Sequence, residues 1–540
     1  MFHQFLNKQT NHIESSAFVL AFFTFIGSFL SIIRNALLAS TFGASKTLDI
    51  YYAAFRIPDF IFNIFILGAL AAGFIPLFIK YQNIGKKESN EFATSIMVSI
   101  SFLSALFGIV FVIFADIIVK WLFPGFDLAS LNIIANLSRI MMIQPIVLGL
   151  SSLIGNILQV NNLYMPIALA PLLYNVGIII GIVLFYPIFG VYGLGYGVVL
   201  GAFLNLIIKY WPFRKIDFVF SLPHSKVFKQ YIKEFSVLTS FRALSIINLQ
   251  LFLFVISNVA SYLQPGSLGI INFALNIQDF PRSVFAMSFA VASFPILSRQ
   301  FTNNQKKEFT ETYKKTLIQI LSFLIPIFFA FLIFRSPIVR LLLGYGKFDW
   351  TATNTTISIF TILVFGFIAH ALQDFLLNTL FAANNTIAPF VSGLGAFGVG
   401  SLLSFYLGRV FGLKGLAISY IIADILYALF LFISSIKYFD KTILKGLIQK
   451  IGSIFFCALI ASIFGFGAFK LLEHIFITSK VIYLILDSFV AGIIMIAVYL
   501  FMMSLFKIKE FNTAIDFVKQ KLFVRKFNIM SNQTSHNNNE

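Results

Sequence analysis

The chain has 540 residues, of which 59% are hydrophobic and 11% charged, with a formal net charge of +18 and a mean hydropathy of +0.91. No soluble domain needs that much apolar surface, and a membrane β-barrel would show short alternating segments instead of long apolar runs. The composition therefore excludes a soluble protein and predicts an all-α polytopic membrane protein. The single cysteine, Cys457, excludes a disulfide within the chain.

Apolar runs of about 18 residues or more recur along the chain, and each can cross a hydrocarbon core of about 30 Å. The first run has no small-residue cleavage site, so we expect it to be kept as the first span and not removed as a signal peptide. The pattern predicts fourteen spans, at 17–41, 56–80, 93–120, 132–158, 165–187, 190–210, 233–261, 268–297, 315–338, 353–381, 388–408, 413–436, 450–472 and 481–506.

The distribution of Lys and Arg predicts the side of the membrane on which each loop lies. With the N-terminus in the cytoplasm, 25 basic residues fall on the cytoplasmic side and nine on the outer side. Both termini are therefore expected in the cytoplasm, which agrees with an even number of spans. The positive net charge then reflects topology and contact with anionic membrane lipids, so nucleic-acid binding is not expected.

Five arginines remain, and they fall within or at the edges of the predicted spans: Arg34, Arg56, Arg139, Arg242 and Arg282. Arginine keeps its charge in apolar surroundings and can bind phosphate through two hydrogen bonds. Any one of them is explained equally well by snorkelling to the interface or by a pair with a carboxylate on a neighbouring helix. Five in one bundle favour a cationic site, because charge within lipid is expensive and usually functional.

The chain matches itself at a shift of about 220 residues, which indicates a duplication. The segment QVNNLYMP, which begins at Gln159, resembles AANNTIAP, which begins at Ala382, and 189–194 FGVYGL resembles 411–416 FGLKGL. Six spans per copy return the chain to the same side, so the copies are parallel, with a substrate site expected between two rocking lobes. The predicted domains are an N-lobe at 1–214, a C-lobe at 215–448, two appended helices at 449–506 and a basic cytoplasmic tail at 507–540 with a disordered end.

In this register span 2 corresponds to span 8, and Asn63 lies opposite Arg282. Pro58 and Pro281 lie inside these two helices, where each removes a backbone hydrogen bond and permits bending. Span 8 also carries Asp279. The repeat therefore predicts two charged helices that form opposite walls of one cavity.

No pattern in the sequence predicts catalysis. The chain has no GxxxxGK[ST] segment, no HExxH segment and no cluster of Cys and His, which argues against an ATP motor and against a metal enzyme. We expect a transporter that needs no cofactor and no metal.

Several segments resemble the MurJ (MviN) family of lipid II flippases, within the larger group of multidrug, oligosaccharidyl-lipid and polysaccharide exporters. The first and most specific lies around span 2: Phe42-Gly43-Ala44, then Asp49, then AAFRIPD at 53–59, then Gly68-Ala69 and Phe74-Ile75-Pro76. Supporting matches are APLLYN at 170–175, Asp279-Phe280-Pro281 and YGKF at 345–348. The matches run in order over nearly the whole chain, and fourteen spans is the number that the resemblance implies.

The resemblance implies a flippase for an undecaprenyl-pyrophosphate-linked peptidoglycan precursor in the bacterial inner membrane. It implies that a cationic cavity between the lobes binds the headgroup, and that spans 13 and 14 form a groove for the lipid tail. By position, Arg34 matches a cavity arginine of the family, Arg56 a basic position, and Asp49 and Asp279 acidic positions.

The chain departs from the family pattern at several charged positions. Ser28 and Asn276 stand where the family has arginine, Asn35 where it has aspartate, and Phe62 and Leu67 where it has arginine and glutamate. Arg242 and Arg282 are candidates to compensate, since Arg282 lies about a turn and a half beyond Asn276. The predicted substrate-binding set is therefore Ser28, Arg34, Asp49, Arg56, Arg242, Asn276, Asp279 and Arg282.

Three other functions stay open at this point. One is export of another polyprenyl-diphosphate oligosaccharide or of cationic drugs, although a drug exporter would need a cavity lined by carboxylates. Another is a transport-inactive scaffold, and a third is a membrane enzyme. The driving force is also open: Asp374 and Asp424 lie within spans, where each can bind a cation or proton or bond to a neighbouring helix, and the membrane potential can contribute.

Overall fold

The structure is a computed structural model that describes residues 13–64, 69–440, 446–475 and 481–506. Within those ranges the regular structure is entirely helical, which confirms the predicted fold class. π-Helical turns interrupt the α-helices at Gly181–Phe185 and Arg282–Met287, and Asn63 and Ile64 are also π-helical. The α-helices are α1 Ile13–Phe42, α2 Lys46–Phe62, α3 Ala69–Ile84, α4 Lys86–Leu122, α5 Leu128–Met141, α6 Ile143–Val160, α7 Met165–Ile180, α8 Tyr186–Phe189, α9 Tyr192–Phe213, α10 Ser225–Ser261, α11 Ser267–Pro281, α12 Ser288–Thr302, α13 Lys306–Leu343, α14 Trp350–Val364, α15 Phe367–Ala382, α16 Ile387–Ile436, α17 Leu447–Ile475 and α18 Val481–Leu505.

Every predicted span coincides with one helix, with part of one, or with two in succession. Among the described residues, ten helical segments are long and apolar enough to cross a membrane, and eleven if the pair α14 and α15, which meet at 50°, is one span. The 50-residue helix α16 is broken at Gly412, between the two spans predicted there. The chain is a multi-pass membrane protein, and the number fourteen stays a prediction.

The backbone repeats the duplication seen in the sequence. Asn162 and Asn384 both have left-handed backbones, with φ of 59° and 54°. Gly190 and Gly412 adopt a second shared conformation, with φ of 59° and 58° and ψ of −143° and −135°. The same number of residues separates the members of each pair. Because L side chains rarely adopt positive φ, these matches support two structural copies independently of residue identity.

The predicted correspondence between span 2 and span 8 is visible in their distortions. After Pro58, the backbone leaves the α-helical pattern at Asn63, and after Pro281 it does so at Arg282. A π-helical turn adds a residue to the helix and commonly marks a functional position. The two helices that carry the predicted site are therefore irregular at matching positions.

By packing, the described chain divides into two compact units. In the first unit, aromatic rings of α3, α4 and α10 form a core around Phe74, Phe92 and Tyr231. In the second unit, Tyr313 of α13 packs on Phe375 and Phe439, and α17 packs along α18. The predicted domain boundaries follow the repeat rather than this packing, and they stay a prediction. The first unit comprises Met1–Phe280, Ile338–His370 and Asn384–Ser434, and the second Pro281–Pro337, Ala371–Ala383 and Ser435–Glu540.

Replacing Gly266 with alanine is expected to lower the melting temperature of the detergent-solubilised protein. Gly266 has a φ of +91°, and a Cβ there would fall on the carbonyl group of Ala44. A left-handed backbone costs an L residue about 1–2 kcal/mol, and the clash adds to that. Gly398→Ala is the matched control, because its Cβ would meet nothing within 4 Å in helix α16. If Gly266→Ala has the same melting temperature as the wild type, the structure does not need glycine at this position.

Candidate functional site: an arginine cluster and separate carboxylate contacts

Arg34 lies on α1 and binds neutral polar groups. Its Nη1 donates to Oδ1 of Asn175 on α7 at 3.0 Å, and its other nitrogens donate to Ser31 and Asn35 at 3.1–3.3 Å. Asn175 is itself oriented by a hydrogen bond from its Nδ2 to the carbonyl of Pro171. Because these partners are uncharged, they position the guanidinium without neutralising it.

Arg56 lies on α2 and connects it to α11. Its Nη2 donates to Oδ1 of Asn272 at 3.4 Å. Its Nε is buried and, among the described residues, has no hydrogen-bond acceptor. A buried guanidinium nitrogen with no protein acceptor can bind a ligand oxygen, because buried donors are normally satisfied.

The two arginines converge on one carboxylate. Arg56 lies three residues before Asp59 on α2, and both arginines are close enough to act electrostatically on its carboxylate. The Tyr52 and Tyr174 rings lie within the field of the same charges, and their buried hydroxyl groups have no hydrogen-bond partner within the described ranges. We call Arg34, Tyr52, Arg56, Asp59 and Tyr174 the arginine cluster. It carries two cations against one anion and three polar atoms that can contact a ligand, a combination suited to an anionic polar group.

Asp49, which the resemblance implies to be a cavity residue, is buried in the structure. It lies in the first turn of α2, after the N-cap Ser45, and is 2% exposed. Its two carboxylate oxygens accept hydrogen bonds from the backbone N–H groups of Gly266 at 2.6 Å and Gly269 at 2.8 Å. A carboxylate at the start of α11 satisfies free N–H groups and complements the helix dipole. In this structure Asp49 joins the beginnings of two helices.

Asp279 contacts a histidine. Its Oδ1 lies 3.4 Å from Nε2 of His370 on α15, and Nδ1 of the same ring lies 3.0 Å from Oδ2 of Asp424 on α16. The sequence left open whether Asp424 binds a cation or proton or bonds to a neighbouring helix, and in the structure it contacts His370 on a neighbouring helix.

Arg282 pairs with the other intramembrane carboxylate. Within the second unit, its Nε donates to Oδ2 of Asp374 at 3.0 Å and its Nη2 to Oδ1 at 3.2 Å. This two-point pair follows the π-helical turn that begins at Arg282. In the part of the chain that the structure describes, no group of three or more His, Cys, Asp or Glu is arranged to hold a metal ion. A role for either carboxylate in cation binding stays a prediction.

The remaining predicted residues lie on three different helices. Asn276 donates its Nδ2 to the carbonyl of Asn272 on its own helix. Ser28 is partly buried on α1, and Arg242 is partly buried on α10. Leu67 lies outside the described residues, and Phe62 packs against the aliphatic core. The sharing of one site by all eight predicted residues stays a prediction.

Sequence reasoning missed Tyr52, Tyr174, Asn272 and His370. The tyrosines and the asparagine carry no signal that separates them from ordinary packing residues. His370 did carry one, because an ionisable side chain inside an apolar span is a functional candidate by default.

Comparisons with known proteins agree on one family. The family model described as "Lipid II flippase MurJ" matches residues 38–487. A probable lipid II flippase MurJ of Thermotoga maritima is 25% identical over 423 residues, 78% of this chain and 85% of that protein. The lipid II flippase MurJ of Burkholderia cenocepacia is 24% identical over 424 residues, 76% of this chain and 81% of that protein.

Solved structures show the same fold. A lipid II flippase MurJ in an inward closed conformation matches with a TM-score of 0.74 and 23% identity, over 91% of this chain and 98% of the other. An inward-facing multidrug resistance transporter of the MATE family matches with a TM-score of 0.64 and 15% identity, over 79% of this chain and 95% of the other.

Proposed function

Because the chain belongs to the lipid II flippase MurJ family, whose members are transporters and not enzymes, we propose that it carries lipid II from the inner to the outer leaflet of the bacterial cytoplasmic membrane. Lipid II joins a saccharide and peptide to an undecaprenyl chain through a pyrophosphate. Burying such a headgroup in hydrocarbon without compensation would cost tens of kcal/mol in an idealised estimate. A protein that moves it must replace its hydration with donors and positive charge.

The observation that carries the proposal is the arginine cluster. Two guanidiniums, one of them with a buried Nε that lacks an acceptor among the described residues, lie by a single carboxylate. Charge-assisted hydrogen bonds from arginine suit a diphosphate. In this proposal the headgroup enters a cavity between two lobes that alternate access, while α17 and α18 hold the lipid tail beside the bilayer.

The orientation and driving force belong to the same proposal. Both termini lie in the cytoplasm, because the loops on the same side of the membrane as the termini carry most of the Lys and Arg residues. The membrane potential contributes about 2.3 kcal/mol per charge per 100 mV to a charged step. A coupling cation or proton is the second source of energy.

A second substrate follows from one specific observation. Ser28 and Asn276 are uncharged where the resemblance implies arginine, and both are partly buried in the structure. With fewer cations, the cavity also suits a polyprenyl-diphosphate oligosaccharide whose headgroup carries fewer negative charges. Cationic drugs fit less well, because the cluster carries net positive charge.

Growth rescue tests the proposal. The chain is expected to restore growth in a bacterium depleted of its own lipid II flippase, and Arg34→Gln is expected to reduce that rescue at least about tenfold, since a charge-assisted hydrogen bond is worth about 1.5–3 kcal/mol. Arg139→Gln is the matched control, because Arg139 donates to Asp116 and Asn136 and should rescue normally. If the wild type inserts and fails to rescue, lipid II is not the substrate. A failure that extends to all polyprenyl-diphosphate substrates would indicate a transport-inactive scaffold.

A further inference from the structure

His370 has a carboxylate close to each of its two ring nitrogens. Nε2 lies 3.4 Å from Oδ1 of Asp279, and Nδ1 lies 3.0 Å from Oδ2 of Asp424. The side chains of His370 and Asp424 are 9% and 3% exposed, whereas Asp279 is 48% exposed. The Tyr420 ring also faces the imidazole, with centroids 6.1 Å apart. Helices α11, α15 and α16 thus meet at one imidazole.

The arrangement favours the binding of one proton. A neutral imidazole has one N–H and one lone pair, so two ionised carboxylates would leave one oxygen facing a lone pair. A buried carboxylate within a membrane segment is stable only when it is paired with a cation or protonated. Whether the proton resides on the ring or on a carboxyl group, the three side chains hold one more proton than a neutral histidine with two ionised aspartates.

We propose that Asp279, His370 and Asp424 form a proton-binding site that couples proton uptake to the transport cycle. Protonated, the site has a net charge of −1, and deprotonated it has −2. Loss of the proton removes the attraction that holds Asp279 of α11 to α15, and it leaves the partly exposed Asp279 carboxylate negatively charged without a cationic imidazole beside it.

The consequence for the substrate rests on the proposed function. An anionic diphosphate is repelled less by the protonated site, so the proton and the anionic headgroup bind with positive coupling. Because this coupling is reciprocal, release of the headgroup weakens proton binding and favours release of the proton. The site thereby specifies the coupling ion as a proton that Asp279, His370 and Asp424 share.

The first experiment measures the site without any substrate. The melting temperature of the purified wild type is expected to fall by several degrees between pH 6 and about pH 8.5, as the proton that joins the three helices is lost. His370→Gln should abolish most of that dependence, and Asp424→Asn should reduce it. His474→Gln is the matched control, since His474 is exposed at the end of α17 and should keep the wild-type profile. A His370→Gln protein with an unchanged pH profile would overturn the proposal.

A charged substitution guards against a purely structural effect. His370→Lys keeps a cation between the carboxylates, so its melting temperature should stay high and vary little with pH. If His370→Gln fails to fold, a flat profile in His370→Lys still supports the site, and a wild-type slope in His370→Lys refutes it.

The second experiment measures coupling with undecaprenyl pyrophosphate as the probe. Wild-type affinity is expected to fall about tenfold from pH 6 to about pH 8.5, and His370→Lys should bind with little pH dependence. Equal pH dependence in both proteins would overturn the coupling. Absence of binding at every pH would count against the proposed function, while the melting profiles would still decide whether the proton site exists.

Discussion

Arg56→Ala is expected to abolish growth rescue in the flippase-depleted bacterium. Arg56 supplies the buried Nε that lacks an acceptor among the described residues, and it lies three residues before Asp59 on α2. Each charge-assisted hydrogen bond lost to a phosphate is worth about 1.5–3 kcal/mol, so two such bonds correspond to at least about a hundredfold in affinity. Arg56→Lys keeps the charge but loses the planar guanidinium that can bind two phosphate oxygens at once, so it should rescue growth only partly.

The single substitution also removes one of the two cations that act on Asp59, which can destabilise the protein by itself. The double variant Arg56→Ala with Asp59→Asn removes both charges and separates the two effects. We expect its melting temperature to return towards that of the wild type while rescue stays absent. If the double variant rescues growth, Arg56 only neutralises Asp59, and the substrate role assigned to it is wrong.

The sequence predicted the fold class because it depends on averages over many residues. Fourteen apolar runs, a repeat with shared Asn and Gly turns, and an uneven distribution of Lys and Arg between alternate loops each sum a weak signal over long segments. The positive φ at Asn162 and Asn384, and at Gly190 and Gly412, shows that residues aligned by the sequence repeat adopt the same backbone conformation. Bends such as the 50° angle between α14 and α15 carry no comparable signal, because the flanking runs stay apolar.

The site was harder to predict because it depends on single contacts between distant segments. Sequence identified Arg34, Arg56 and Asp279 as charges in unusual places, but it could not separate an arginine that binds amides, as Arg34 does, from one that pairs with a carboxylate, as Arg282 does. It also could not place Tyr52 and Tyr174 near Arg34. Such distinctions depend on which helix faces come together.

Asp49→Ala is expected to lower both the melting temperature and growth rescue. The resemblance implies an acidic residue of the cavity, whereas the carboxylate is 2% exposed and accepts from the backbone N–H groups of Gly266 and Gly269. Hydrogen bonds to a charged group are worth about 1.5–3 kcal/mol, and the substitution leaves two donors at the start of α11 unsatisfied. Asp49→Asn keeps one acceptor oxygen and should lie between the wild type and Asp49→Ala.

Asp127→Asn is the control, because Asp127 contacts Lys46, which lies three residues before Asp49 on α2. Asp127 forms an ion pair with Lys46 at 2.5 Å, and this hydrogen bond lowers the pKa of the Asp127 carboxyl. Both side chains are about half exposed, at 48% and 51%, so solvent screens the pair and its loss should change neither measurement. If any loss of charge in this region impairs the protein, both Asp49→Ala and Asp127→Asn will lower the melting temperature and growth rescue.

The two roles for Asp49 predict different pairs of results. If Asp49 binds the headgroup, Asp49→Ala should weaken binding of undecaprenyl pyrophosphate while the melting temperature stays that of the wild type. If it holds the start of α11 against α2, the melting temperature should fall, and the folded fraction should bind the probe with wild-type affinity. The buried position and the two short backbone contacts favour the second result. It would make Asp49 a residue that positions α11, and with it Asn272 and Asp279, for the residues that bind.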